Sequence, residues 1–419
     1  MEMSKEEIRR VFFEEGADDA GFVEISRKSL STDAPGLLRI FPDTKTIVSL
    51  VKRANRDALR SPSVSVADLE FAQAQSALSS ASVRALGKLI GLGIRGIVIP
   101  PSFPMDMTRW PGKVWEVSHK TIAVEAGMGC MGINRVVIHP KFGNHIILGS
   151  LLLDAGLDKY DHPLEHSPCI ECSLCVGVCP VGAISREKGL HFMSCAMHNY
   201  HELFGGFQDW IECVVSSKDV LSYRLKFRDS ETAAKWQSLT YGHFYRCSYC
   251  MAVCPAGEET AGDFEADKKG YMEKYVRPLR EKREPVYVIE GTRAEKAALK
   301  RDMKEIRYVK NTIRPASVET FLDGVPLLFN TEKAKGVELV LDFEFSGNED
   351  KKASVKISGG EVEVTPGLSG KPDLFVRADS AAWIRMLNGE ISPIKAMLSG
   401  KIRLKGNPRY LGKFKKCIL

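Results

Sequence analysis

The chain has 419 residues, 44% of them hydrophobic and 27% charged, with a formal net charge of +6. That is ample apolar material for about three domains, and a charge this mild does not demand a nucleic-acid partner. No apolar run approaches the roughly 18–20 residues of a membrane span. Arg9-Arg10 is followed by acidic residues rather than an apolar stretch, so an export signal is not expected and the chain reads as cytoplasmic. In that compartment eleven cysteines point to metal rather than to disulfides.

Taken in chain order, Ser4 to Glu15 has helical spacing at Ile8, Val11 and Phe12, and Gly21 to Ile25 reads as a strand. Thr46 to Val51 is a second strand. Ser65 to Ile90 predicts a long helix with Ala67, Phe71, Ala74, Leu78, Ala81, Ala85 and Leu89 on one face. Gly93 to Ile99 reads as a buried strand, Val114 to Ala126 as a helix, and Ile146 to Leu153 as another strand. Alternating elements of this kind predict an α/β or α+β layer domain. Between the last two lies a glycine cluster, Gly127, Gly129 and Gly132, running into Asn134. It follows a helix, where a dinucleotide fingerprint should follow a strand, so a nicotinamide fold is rejected.

Cys169 to Pro180 reads C-I-E-C-S-L-C-V-G-V-C-P, the bacterial ferredoxin run. Its fourth thiol, Cys179, typically serves a second cluster. Downstream stand a lone Cys195 and then Cys247, Cys250 and Cys254, again followed by proline. Those are the eight thiols that two [4Fe-4S] clusters require. A structural zinc site wants paired C-x2-C units separated by a longer loop. The remaining Cys130, Cys213 and Cys417 read as idle thiols. The insert at 196–246, with Trp210, Tyr223 and Trp236, has no assigned role. Glu281 to Arg314 is highly charged and reads as a solvated connecting helix. Beyond Pro315 the texture changes. Val337 to Phe345 alternates strictly, and strands near 355–357, 362–364, 374–376 and 402–404 surround helices at 380–388 and 393–398.

The double cysteine arrangement, with Cys195 sixteen residues after Cys179, resembles epoxyqueuosine reductases and corrinoid reductive dehalogenases. So does A-G-M-G-C-M-G-I-N (Ala126 to Asn134) with Pro140 and Gly143. The resemblance covers roughly residues 5 to 260 and implies an α+β multidomain fold: a nitroreductase-like domain (1–160) holding a cobamide, and a dicluster ferredoxin domain (161–275). It implies that Cys169, Cys172, Cys175 and Cys254 hold one cluster, that Cys179, Cys195, Cys247 and Cys250 hold the other, and that Gly127, Gly129, Gly132 and Asn134 line the corrinoid. It also implies a low-potential electron donor such as a ferredoxin or flavodoxin. Where the family carries a catalytic aspartate, this chain has Lys113-Val114-Trp115-Glu116. The family's helical-repeat tail, associated with tRNA, is missing, so tRNA is not expected as a partner. After a charged linker (276–314), residues 315–419 resemble a sterol-carrier-protein-2 domain through Lys371-Pro372-Asp373-Leu374, Trp383, Leu387-Asn388-Gly389 and Gly400 to Gly406. Such a domain implies a lipophilic small-molecule ligand.

A cobalt-mediated reduction needs a proton donor within hydrogen-bond reach of its substrate. The candidates are Tyr241, His243, Tyr245 and His119, with His198 and His201 after Cys195. The expected function is a cytoplasmic iron–sulfur oxidoreductase that passes electrons through two clusters to a cobamide for reduction of an organic substrate. The alternative is an electron-transfer protein that reduces a partner's cofactor, such as that of a corrinoid protein. A third reading is a binding protein with structural or redox-sensing clusters.

Overall fold

The computed structural model describes residues 4–418 apart from 32, 103, 110–114, 188, 203–205, 243–244, 302–304, 310–313 and 332. The chain is a mixed α+β protein of several domains. Its first sheet has the order Asp19–Glu24, Thr46–Arg53, Ile146–Leu153, Gly96–Ile99, with every neighbouring pair antiparallel. Thr46–Arg53 is central, and its first six residues are buried in succession. Val48 lies opposite Phe22 on one side and Leu151 on the other. The outer strand Gly96–Ile99 is half-buried at three of its four residues. It is an edge strand, not the buried strand its apolar run predicts.

The helix Val64–Gly91 packs along this sheet on the face expected from its periodicity, and Ala67, Phe71, Ala74, Leu78, Ala81, Ala85 and Leu89 are all buried. A Cβ at Gly149 would stand 3.1 Å from a Leu78 methyl, so helix and strand pack closely there. The helix Lys5–Glu14 is clamped through Asp161. That carboxylate accepts Lys5 Nζ at 2.7 Å, Arg9 Nη2 at 3.0 Å and the Phe22 N–H at 2.9 Å. Asp161→Ala leaves the buried Lys5 without this acceptor, and is expected to cost about 2–3 kcal/mol in urea denaturation. A loss under about 0.5 kcal/mol would show that the clamp adds nothing.

The cysteine-bearing segments are built from short helices: Leu174–Val178, Phe192–Asn199 and Tyr249–Ala252. They dock on the first domain backbone to backbone. Gly143 has φ +66°, and a Cβ there would collide with the Ala256 carbonyl. The Glu258 N–H donates to the Pro140 carbonyl at 2.9 Å beside this contact.

The expected connecting helix is not what forms at 281–314. Val286–Val288 and Ile306–Tyr308 pair in parallel, with the helix Arg293–Leu299 between them. Val286, Val288, Ala294 and Ala298 share a core cluster with Cys179, Val181 and Ala183. Apolar residues at alternate strand positions and on one helical face bury this segment against the ferredoxin-like region, despite its charge.

The last sheet has the order Glu361–Pro366, Lys351–Ser358, Leu339–Ser346, Leu374–Asp379, Ile402–Gly406. Helices Val318–Leu328, Ser380–Leu387, Pro393–Leu398 and Arg409–Cys417 accompany it. Its core is aromatic: Phe321, Phe343, Phe345, Trp383 and Phe414 are all buried together. Among the described residues no helix is long and apolar enough to cross a membrane.

Candidate functional site

Two non-glycine residues with left-handed backbone, Glu171 (φ 52°) and Ser173 (φ 62°), flank Cys172 and curl the first run. The curl brings Cys169, Cys172 and Cys175 to one cavity, and Cys254 of the second run lines the same cavity. Ile133, Ile138 and Ile170 give it apolar walls. The other four thiols stand together next door. Burial raises Cys195, Cys247 and Cys250, and Cys179 adds to the rise of all three, as Cys195 does for Cys247 and Cys250. Cys250 also feels Cys175, so the two sets adjoin.

Among the described residues no three Cys, His, Asp or Glu side chains converge as a single ion would require. The first four thiols surround a space instead, which is the arrangement a multi-iron cluster needs. Burial pushes Cys195 and Cys254 up to about 12 and Cys175 up to about 11. Thiolates in these positions therefore need compensating positive charge, which cluster iron supplies. The Ala183 N–H donates to Cys179 Sγ at 3.2 Å, the kind of contact that tunes a ligated sulfur. The donor set fits two iron–sulfur clusters.

The four residues offered for a corrinoid are each engaged within the chain. A Cβ at Gly127 would meet the His162 carbonyl at 2.6 Å, and one at Gly132 would meet Ile138 Cδ1 at 2.7 Å. A Cβ at Gly129 would collide with the Ile138 carbonyl. All three glycines are explained by close approach of the chain to itself. Asn134 is buried, and its Nδ2 donates to the Cys250 carbonyl at 3.4 Å. Asn144, not singled out from the sequence, reaches the same carbonyl at 3.5 Å. The two asparagines tie the first domain to the second cysteine run.

The candidate proton donors separate. Tyr245 is next but one to Cys247, and its hydroxyl lies 3.1 Å from His198 Nε2 and donates to Glu284 at 3.2 Å. His198 is buried, and its Nδ1 accepts the Tyr287 N–H at 3.4 Å. His201 stacks on Tyr287 with centroids 3.7 Å apart. His119 sits elsewhere, bonded to Ser150 Oγ at 2.8 Å and the Pro100 carbonyl at 2.9 Å. Tyr241 is on the surface, edge-on to Trp236. His243 lies outside the described residues, as do Lys113 and Val114.

Sequence reasoning missed Asp68. Its Oδ1 accepts the Arg246 N–H at 3.0 Å beside Cys247, and burial raises its carboxyl to about 7 against the opposing pull of Arg246 and Lys282. A lone acid on a long helix carries no local signal of this. The raised value means that the folded state favours the protonated form. Stability from this group is full below about pH 4 and is lost as pH rises through 7. Asp68→Asn is expected to remove that loss, which is on the order of 2–4 kcal/mol. Denaturation midpoints at pH 5.5 and 8 check it, and an unchanged pH slope in the variant would count against it.

Two family models match parts of the chain: the 4Fe-4S binding domain at residues 165–185 and the SCP-2 sterol transfer family at residues 329–418. The chain thus combines an iron–sulfur segment with a sterol-carrier-type domain. Among curated relatives, it is 27% identical to the epoxyqueuosine reductase of Bacillus anthracis over 140 residues, 33% of this chain and 30% of that protein. It is 37% identical to the epoxyqueuosine reductase of Pseudomonas aeruginosa over 79 residues, 19% of this chain and 22% of that one. The match to the Bacillus protein thus spans 30% of that relative's length. Among solved structures, it is similar to an epoxyqueuosine reductase with an epoxyqueuosine-modified tRNA-Tyr stem loop. That match has a TM-score of 0.39 and 18% identity, covering 61% of this chain and 66% of that one. It is also similar to a catabolic reductive dehalogenase, with a TM-score of 0.32 and 15% identity, covering 43% and 25%. The epoxyqueuosine reductases among the curated relatives overturn the expectation that tRNA is an unlikely partner.

Proposed function

We propose that this chain is an iron–sulfur oxidoreductase of the epoxyqueuosine reductase type. In this reading Cys169, Cys172, Cys175 and Cys254 hold one [4Fe-4S] cluster, and Cys179, Cys195, Cys247 and Cys250 hold a second. The observation that carries it is the sorting of eight thiols into two adjoining sets, each drawing on both runs. Bound clusters of this kind supply single electrons, at potentials that burial and hydrogen bonds to sulfur adjust. The chain's own residues exclude water with Ile133, Ile138 and Ile170, donate to Cys179 sulfur from Ala183, and anchor the second run through Asn134 and Asn144. The reading places the protein in the cytoplasm, where thiols stay reduced. Epoxyqueuosine in tRNA is the substrate class it takes, supported by the named relatives. A cobamide as electron acceptor is carried over from the family resemblance alone.

A second reading takes the close packing of Gly127, Gly129 and Gly132 as structural alone. In it the chain reduces a partner's cofactor and holds no corrinoid. Oxygen-free purification, iron and cobalt analysis and EPR separate the two, followed by turnover of an epoxyqueuosine-containing tRNA stem loop with dithionite, with and without cobalamin. About eight iron atoms per chain and cobalamin-dependent formation of queuosine support the first reading. Full iron without cobalamin binding or turnover supports the second. Zinc in place of iron sinks both.

A further inference from the structure

The formal charge of +6 hides an uneven distribution. Residues 391–419 contain eight lysines and arginines and no aspartate or glutamate, so the other 390 residues hold 51 basic and 53 acidic side chains. All eight cations are exposed. A basic end on an otherwise balanced chain points to a polyanionic partner. Four of the eight lie on the helix Arg409–Cys417. Its Phe414 and Cys417 are buried in the aromatic core of the domain. Arg409, Lys413 and Lys416 stand at i, i+4 and i+7 on another side, a row about 10 Å long, with Lys415 further round.

Among the described residues none of these four pairs with a carboxylate. The ion pairs of this domain use Lys351, Lys352, Arg377 and Arg385 instead. Lys413 Nζ rests over the Tyr410 ring at 5.3 Å, which orients the ammonium without neutralising it. Lys415 and Lys416 suit the C-terminal end of the helix dipole, but Arg409 stands at the N-terminal end, where a cation is unfavourable. Helix stability therefore does not account for the row. The row is also fixed in place. Ile418, directly after the helix, packs in one cluster with Leu328, Met193 and Met197. The two methionines belong to the helix Phe192–Asn199, which supplies the Cys195 thiol of the proposed second cluster. A phosphate backbone or an anionic bilayer would answer the charge. A bilayer also needs apolar side chains to insert, and those of this helix are buried or half-buried. That favours nucleic acid.

We propose that Arg409, Lys413 and Lys416 grip the phosphate backbone of the RNA on which the chain acts. The inference rests on the reading of tRNA as substrate. The probe is the epoxyqueuosine-containing tRNA stem loop, and its binding to the oxidised holoprotein is measured by fluorescence anisotropy from about 50 to 200 mM salt. Lys413→Gln/Lys416→Gln is expected to weaken binding about tenfold or more. It is also expected to flatten the slope of log affinity against log salt by about 1.4–1.8, for two contacts at about 0.7–0.9 each. Lys268→Gln/Lys269→Gln removes the same charge from another exposed helix, and is expected to change affinity less than about twofold. Wild-type affinity and slope in Lys413→Gln/Lys416→Gln would overturn the proposal while leaving tRNA as the substrate. An equal loss in the control would overturn it too, since any surface charge would then serve. Neither binding nor turnover of the stem loop by the wild-type protein would instead remove the substrate reading, and this inference with it. Binding to phosphatidylglycerol vesicles that depends on Lys413 and Lys416, without binding of the stem loop, would overturn RNA as the occupant.

Discussion

Cys254→Ser and Cys172→Ser are expected to abolish the same cluster, although the two residues lie in separate runs. Cys254 stands 79 positions beyond Cys175, yet it lines one cavity with Cys169, Cys172 and Cys175. Each single variant is expected to lose about four of about eight iron atoms. The double variant Cys172→Ser/Cys254→Ser loses no more than either alone. Cys172→Ser/Cys247→Ser is expected to lose both clusters, because the proposed assignment puts Cys247 with Cys179, Cys195 and Cys250, whose charges act on it. Iron analysis and EPR of the reduced proteins read this directly. Cys130→Ser and Cys213→Ser are controls that keep full iron. If Cys254→Ser removes the signal that Cys247→Ser removes, the sets are not crossed and the assignment falls.

Trp383→Ala is expected to cost about 3–5 kcal/mol. The side chain is 1% exposed, and its ring lies edge-on to Phe321 and Phe343 at 5.5 Å and near Phe345 at 5.8 Å. Truncation opens a cavity among rings that have little freedom to close it. Trp383 Nε1 has no hydrogen-bond partner among the described residues. Trp383→Phe therefore keeps most of the ring contact while removing an unsatisfied buried N–H, and costs less than the alanine variant. Urea denaturation followed by circular dichroism measures both. A Trp383→Ala loss below about 1 kcal/mol would mean that this cluster does not hold the C-terminal domain together.

Much of the fold was legible where one face of an element is buried. Leu339, Leu341, Phe343 and Phe345 alternate inward, and the Val64–Gly91 helix buries the stripe its period predicts. Two helices of the last domain were not foreseen. Val318–Leu328 contains Pro326, which reads as a breaker, and Arg409–Cys417 is short and basic. The segment 281–314 was misread because its strands are three residues each, too short for alternation to outweigh charge. Tyr245 and His198 stand 47 positions apart, and only the fold brings the Tyr245 hydroxyl to 3.1 Å from His198 Nε2.

The sequence by itself determined the two spaced cysteine runs, the amphipathic helices and the last sheet, because spacing and alternation are local properties of the chain. The tertiary structure alone decided how closely the chain approaches Gly127, Gly129 and Gly132, that Asn134 and Asn144 meet at the Cys250 carbonyl, that Asp68 is raised beside Arg246, and that Lys235 has no hydrogen-bond acceptor among the described residues. Each of these is set by contact or desolvation between residues remote in the chain. No local pattern records which surface a polar group will finally face.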